Sequence, residues 1–103
     1  MHINIIGLHL YRIKNIHTMK QTTIKSINRQ AKALDLDGKD ELYEYILDSK
    51  INGNYTQVAA LIKALPKEAK KDFLHHCDNN CNNNNVYVQE AAVYCKSLTI
   101  EMI

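Results

Sequence analysis

The residues of this chain that most resemble a chemical site are two histidines and two cysteines within seven positions. His75, His76 and Cys77 are consecutive, and Cys81 follows after three residues. Imidazole nitrogen and thiolate sulfur are ligands that Zn²⁺ prefers, but a structural zinc site needs four ligands, usually as two close pairs. The second pair is missing, because a fourth ligand would have to come from Cys95 or a distant histidine. We therefore predict no metal site and no cofactor, with Cys77 in the core and His75, Cys77 and Cys81 as the metal candidates to check.

Other residue patterns that support catalysis are missing from the sequence. It contains no nucleophile elbow, phosphate-binding loop, dinucleotide fingerprint or paired-carboxylate motif. An acidic cluster follows the first third of the chain and comprises Asp35, Asp37, Asp40, Glu41, Glu44 and Asp48. Carboxylates at this density are typical of the water-facing side of an amphipathic helix, which explains them more simply than catalysis does. We therefore predict that the chain is not an enzyme.

Basic residues at helical spacing form the clearest candidate binding surface. Lys25, Arg29 and Lys32 are separated by four and three residues, which places them on one side of a helix. Residues 1–34 carry six Lys or Arg and no acid, whereas residues 35–103 carry seven Lys and all eleven acids. The net charge of +2 therefore conceals a strongly polarised chain. Such residues suit an acidic protein partner, the acidic part of the chain itself, or the phosphates of a nucleic acid.

The elements that hold these residues are predicted to be helices. Thr22 or Thr23 begins the first helix, whose inner side is formed by Ile24, Ile27, Ala31 and Leu34. A second helix follows, with Asp37 as its N-cap and acidic residues in its first turn. Its inner side is formed by Leu42, Tyr45 and Ile46. We expect Tyr43 to lie beside this inner side, at a half-exposed edge.

Turn residues mark the next two helices. The sequence Asn-Gly-Asn at positions 52–54 is a strong turn signal, and Asn54 or Thr56 caps a third helix. Pro66 fits the first position of a fourth helix, where its missing N–H is no loss. The inner side of this fourth helix is formed by Phe73, Leu74 and Cys77. We expect Asp72 on its outer side.

An asparagine-rich tract separates the fourth helix from the last one. Residues 79–85 contain six asparagines and Cys81, and we expect a loop there because asparagine side chains compete for backbone hydrogen bonds. The last helix is predicted to begin between Val86 and Gln89. It runs through Ala91, Ala92, Tyr94, Cys95 and Leu98.

Three of these helices end in similar tetrapeptides, which indicates a weak internal repeat. The tetrapeptides occupy residues 31–34, 62–65 and 95–98, so that their offsets are 31 and 33 residues. One further helix lies between consecutive copies, and the repeating unit is therefore a helix pair of the length found in ankyrin and tetratricopeptide arrays. Chance is the alternative, because Lys, Ala and Leu are common in any helix.

One of these segments resembles part of a known repeat family. Residues 52–65, NGNYTQVAALIKAL, resemble the second helix of an ankyrin repeat with its preceding Asn-Gly turn. The resemblance implies an array of helix pairs joined by turns. The Thr-Pro-Leu-His motif of an ankyrin first helix is absent, as is the glycine that normally follows the second helix. We therefore prefer a generic array of helical hairpins.

Length and composition fit one domain. We predict an all-α fold of four to five antiparallel helices over residues 19–103, preceded by an N-terminal extension over residues 1–18. The extension does not resemble a secretory signal, because its basic residues follow its apolar stretch. With no long apolar run and only three cysteines, the chain is predicted to be cytoplasmic. Its heavy use of Ile, Asn, Lys and Tyr is typical of an AT-rich coding sequence, as found on many mobile elements and in AT-rich bacteria.

These features favour a small non-catalytic helical module that binds or regulates another protein. Its predicted partner-binding residues are Lys25, Arg29, Lys32, Tyr43 and Tyr55, since half-exposed tyrosines suit protein contacts. The alternative is a small nucleic-acid-binding regulator that uses the basic residues, although the acidic turn after them would repel a DNA backbone. We expect no membrane binding. Self-association into a homo-oligomer stays open, because short arrays have exposed ends.

Overall fold

The computed structural model describes residues 19–103, and the proposed N-terminal extension lies outside this range. Five α-helices and no strand occur within the described residues. The helices are α1 (Gln21–Ala33), α2 (Lys39–Ile51), α3 (Tyr55–Ala64), α4 (Lys67–Asn80) and α5 (Val86–Met102). The predicted all-α class is therefore confirmed.

Turn and cap residues explain where α3 and α5 begin. Gly53 has a φ of 78°, a left-handed conformation that glycine adopts without steric cost. The side chain of Asn54 accepts a hydrogen bond from the Gln57 N–H at 3.3 Å, so Asn54 rather than Thr56 caps α3. Asn85 plays the same part for α5, because its Oδ1 accepts from the Tyr87 N–H at 2.9 Å. The last asparagine of the tract therefore starts a helix.

Other helix ends differ from the predictions by one or two residues. Asp37 does not cap α2, because the cap position falls on Gly38. The Glu41 carboxylate instead reaches back and accepts from the Asp37 N–H at 3.0 Å, which satisfies a backbone donor ahead of the helix. Helix α4 extends two residues into the asparagine tract and ends at Asn80, whose side chain donates to the His76 carbonyl at 2.9 Å. The loop is thus 81–85 rather than 79–85.

A single apolar core joins the five helices. Helix α5 packs against α4, α2 and α3, while α1 packs against α2 and α4. The core is formed by Ile27, Ala31, Leu42, Tyr43, Ile46, Leu47, Val58, Ile62, Leu65, Ala69, Phe73, Cys77, Ala91, Ala92 and Cys95. Each large aliphatic side chain removed from water in this way contributes about 1.5–3 kcal/mol, which makes packing the main source of stability.

A buried polar contact between α2 and α4 corrects two predictions. Tyr43 is only 1% exposed, and its hydroxyl donates to Asp72 Oδ2 at 2.9 Å. Lys39 Nζ lies 3.1 Å from the same oxygen. The half-exposed edge predicted for Tyr43 and the outer position predicted for Asp72 are both wrong, because Phe73 and its helix cover this side of α2, with ring centroids 5.1 Å apart. Tyr43 and Asp72 satisfy each other in the interior.

The repeated positions have equivalent burial. The first residues of the three tetrapeptides are Ala31, Ile62 and Cys95, and all are fully buried on α1, α3 and α5. Four residues earlier, Ile27, Val58 and Ala91 are buried as well. The corresponding residues of the three tetrapeptides are therefore buried alike, a result that both a repeat and three independent amphipathic helices produce.

Candidate protein-interaction surface

The metal candidates on α4 point in different directions. Cys77 is buried in the core, whereas His75 is exposed. His76 Nε2 lies 3.0 Å from Glu44 Oε2 on α2, so its ring is engaged in a contact between helices. No group of three or more His, Cys, Asp or Glu side chains within residues 19–103 is placed to hold a metal ion. His75, Cys77 and Cys81 thus do not converge.

The cysteines differ in chemical reactivity because they differ in burial. Burial raises the pKa of Cys77 far above its ordinary value and raises the pKa of Cys95 to about 12. Both side chains are therefore thiols rather than thiolates near neutral pH, and thiols are poor nucleophiles. Cys81 lies half-buried at the end of α4. Cys77 and Cys95 act as small apolar core residues.

The predicted basic residues do form a continuous exposed surface, here named the basic stripe: Lys25, Arg29 and Lys32 on the outer side of α1. No ion pair connects the basic stripe to a carboxylate among residues 19–103, where lysines and histidine pair elsewhere, as in Lys96 with Asp78. Direct pairing with the chain's own acidic helix therefore does not occupy these three charges within the described residues. They remain available to an external anionic group.

Tyr55 belongs to a compact cluster at the surface, here named the tyrosine cluster: Lys50, Tyr55 and Tyr94. The two rings meet edge to face with centroids 5.5 Å apart. Lys50 Nζ lies 5.6 Å from the Tyr55 centroid and 5.4 Å from the Tyr94 centroid, which is cation–π distance for both rings. Tyr55 is 52% exposed, so the cluster is held in place by its own contacts while much of its area faces water.

An apolar row along the outside of α5 continues from this cluster. We name Val86, Val93 and Ile100 the outer stripe; their exposed fractions are 51%, 50% and 55%. Tyr87 and Ile103 extend the apolar area at the two ends of the helix. A shallow depression of about 490 Å³ lies beside the middle of the row and is lined by Lys50, Gln89, Glu90, Val93 and Tyr94. The surface therefore combines large apolar side chains with a concave place for a partner's side chain.

The outer stripe was missed because α5 has two apolar sides. Its inner side is formed by small residues: Ala91, Ala92, Cys95 and Thr99. A prediction based on these residues gives no role to the larger apolar residues on the outer side. The available signal was the spacing: the three members of the outer stripe are seven residues apart, which returns them to nearly the same side of a helix. Tyr94 is 37% exposed and lies in the tyrosine cluster.

Comparison with known proteins adds no assignment. No family model matches the chain, and neither the curated proteins nor the solved structures contain a significant match. Among the helices formed by residues 19–103, none is long and apolar enough to span a bilayer.

Proposed function

We propose that this chain is a small non-catalytic module that binds protein through the outer side of α5 and the tyrosine cluster. The observation that carries the proposal is the outer stripe, which leaves three aliphatic side chains about half exposed along one helix. Large exposed apolar side chains that share one side of a helix are a common feature of interaction sites. The predicted cytoplasmic location stays a prediction.

The composition of this surface suits a protein better than a small molecule. Tyrosines with one apolar side and one polar end are enriched at interaction hot spots, and two of them are fixed here by Lys50. The depression beside Val93 is open and shallow, whereas small-molecule sites enclose most of their ligand. A partner that covers the row would remove its apolar area from water and gain the corresponding hydrophobic free energy.

Site-specific photo-crosslinking tests this surface directly. A photoreactive phenylalanine analogue replaces Tyr87, which is 66% exposed and follows Val86 of the outer stripe. In the native cells it would crosslink to a protein bound at this surface. The same analogue at Lys25 on the outer side of α1 is the matched control. We expect covalent protein adducts from position 87 and none from position 25. Absence of adducts from position 87 would refute the proposed function.

A second function has one observation in its favour. The basic stripe exposes three positive charges that pair with no carboxylate among residues 19–103, and phosphates are a natural counterpart for such a row. Exposed acidic residues on neighbouring α2, including Asp40 and Glu44, oppose a nucleic-acid backbone. Binding of labelled duplex DNA or RNA that weakens steeply with salt, and is lost when Arg29 is changed to Glu, would support this function. No binding at low salt would exclude it.

A further inference from the structure

The spacing of the outer stripe allows it to pair with the outer stripe of a second molecule. Its members lie seven residues apart, so Val86 and Ile100 stand at about 10 Å on either side of Val93 along the helix axis. In a twofold interface the same patch of both molecules meets itself. Residues on one side of the central residue must therefore fit against the residues on its other side in the second molecule. Val93 occupies that central position.

We propose that a second copy of this chain covers the outer side of α5, through a twofold antiparallel pairing of α5 with α5 centred on Val93. The inference rests on the proposed function, because it names the partner of the same surface. In this pairing Val93 meets its own equivalent, and Val86 meets Ile100 of the second copy. The antiparallel direction also brings the positive end of each helix dipole near the negative end of the other.

The charges on α5 are compatible with this arrangement. Glu90 lies on the exposed side of the helix, three residues before the centre. Because the pairing is antiparallel, Glu90 of the second copy lies about 9 Å away along the helix axis, so the two carboxylates do not face each other. The lysine of the helix, Lys96, is already paired with Asp78 of α4. No basic side chain on α5 is therefore left to attract an acidic partner, and matching of apolar area decides the contact.

The exposed apolar residues of the α5 segment supply part of the area that a stable dimer needs. Six large apolar residues of the α5 segment are between 37% and 66% exposed: Val86, Tyr87, Val93, Tyr94, Ile100 and Ile103. Tyr55, which is 52% exposed, adds to this area where its ring contacts Tyr94. Together they present several hundred Å² of surface, the scale of the ~800 Å² that each partner buries in a standard protein interface.

Sedimentation velocity of the full chain tests the proposal. The wild-type chain, with a mass of 11.8 kDa, is expected to sediment as a dimer at micromolar concentration. Val93→Glu places a carboxylate at the centre of the apolar contact and is expected to weaken dimerisation about a hundredfold or more. Lys25→Glu, which changes charge on the outer side of α1, is the matched control and should remain dimeric. Circular dichroism confirms that each variant is helical.

A cysteine variant keeps the test decisive if Val93→Glu fails to fold. With Cys81→Ser as background, Val93→Cys is expected to form a disulfide-linked dimer under mild oxidation, and Lys25→Cys is expected to form little. A monomeric wild-type chain, or a dimer that Val93→Glu leaves intact, would overturn the proposal. If the chain is monomeric but position 87 crosslinks to a different protein, the proposed function stands and the second copy is excluded as the partner.

Discussion

Helices α1 and α5 both pack against the core, but the outer side of α1 is charged and that of α5 is apolar. Both pack against α2 and α4, and both use small residues there, with Ala31 on α1 and Ala91 on α5 fully buried. The outer side of α1 carries the basic stripe, which water solvates at no cost. The outer side of α5 carries the outer stripe, which water solvates poorly. Because of this difference, we expect the outer side of α5, rather than that of α1, to bind protein.

The largest expected effect is on the inner side of α1. Ile27→Ala removes a side chain that is 1% exposed and leaves a cavity between α1 and the core. We expect the free energy of unfolding to fall by about 2–5 kcal/mol. Urea denaturation monitored by circular dichroism measures the change. Lys25→Ala on the outer side of the same helix is the control and should cost less than about 0.5 kcal/mol. Equal losses for the two variants would contradict the assignment of inner and outer sides.

The second test contrasts two adjacent positions on α5. Ala92 is fully buried, whereas Val93 is 50% exposed. Ala92→Leu inserts three carbons into a packed contact and is expected to cost about 1–3 kcal/mol in unfolding free energy. Val93→Leu enlarges the outer stripe without reaching the core, so its unfolding free energy should change little or rise slightly. Thermal unfolding of both variants measures this. A more destabilising change at Val93 than at Ala92 would invert the two sides of the helix.

The smallest expected effect concerns how α1 is attached to α4. Glu68 Oε1 accepts from the Thr23 hydroxyl at 2.7 Å and from the Lys20 N–H at 3.1 Å. These hydrogen bonds, the one from Thr23 foremost, lower the pKa of Glu68 below its ordinary value. A lowered pKa in the folded state means that the carboxylate stabilises the fold above the ordinary glutamate pKa. This contribution is lost as the pH falls through the lowered pKa.

The chemical shift of the Lys20 amide proton reports this titration by NMR. We expect it to move as the pH falls, with a midpoint below that of an ordinary glutamate, and to lose this transition in Glu68→Gln. The amide protons of α5 serve as the internal reference, since Glu68 touches none of them through the hydrogen bonds described. A midpoint at or above the ordinary value would remove Glu68 as the attachment point of α1.

Local signals in the sequence placed the beginnings of most helices to within one or two residues. Asn54 and Gly53 act within a few residues of their own position, and the local pattern therefore predicts them. The cap at Asn85 was not predicted, because Asn85 was counted with the loop. The burial of Tyr43 depends on its hydrogen bond to Asp72, which lies 29 residues away on another helix. Because α2 contacts α1, α3 and α5, its buried residues extend beyond one stripe, and periodicity alone does not identify them.

The candidate surface was predictable only in part. The exposure of Lys25, Arg29, Lys32 and Tyr55 follows from their polar or amphipathic side chains and agrees with the structure. The outer stripe was not predicted, because aliphatic residues on a helix indicate a buried side by default. Which apolar side of α5 is buried depends on the close approach of α4, and that approach requires the small side chains of Ala91, Ala92 and Cys95.

The central claim is that the outer side of α5, and not that of α1, is covered by a second copy of the chain. Paramagnetic relaxation of side-chain protons by an inert, water-soluble probe measures the covering in the wild-type chain without any substitution. The account predicts weak relaxation at Val93 and Ile100 and strong relaxation at Lys25 and Lys32. Relaxation of Val93 and Ile100 as strong as that of the basic stripe would show that α5 faces water and would contradict the claim.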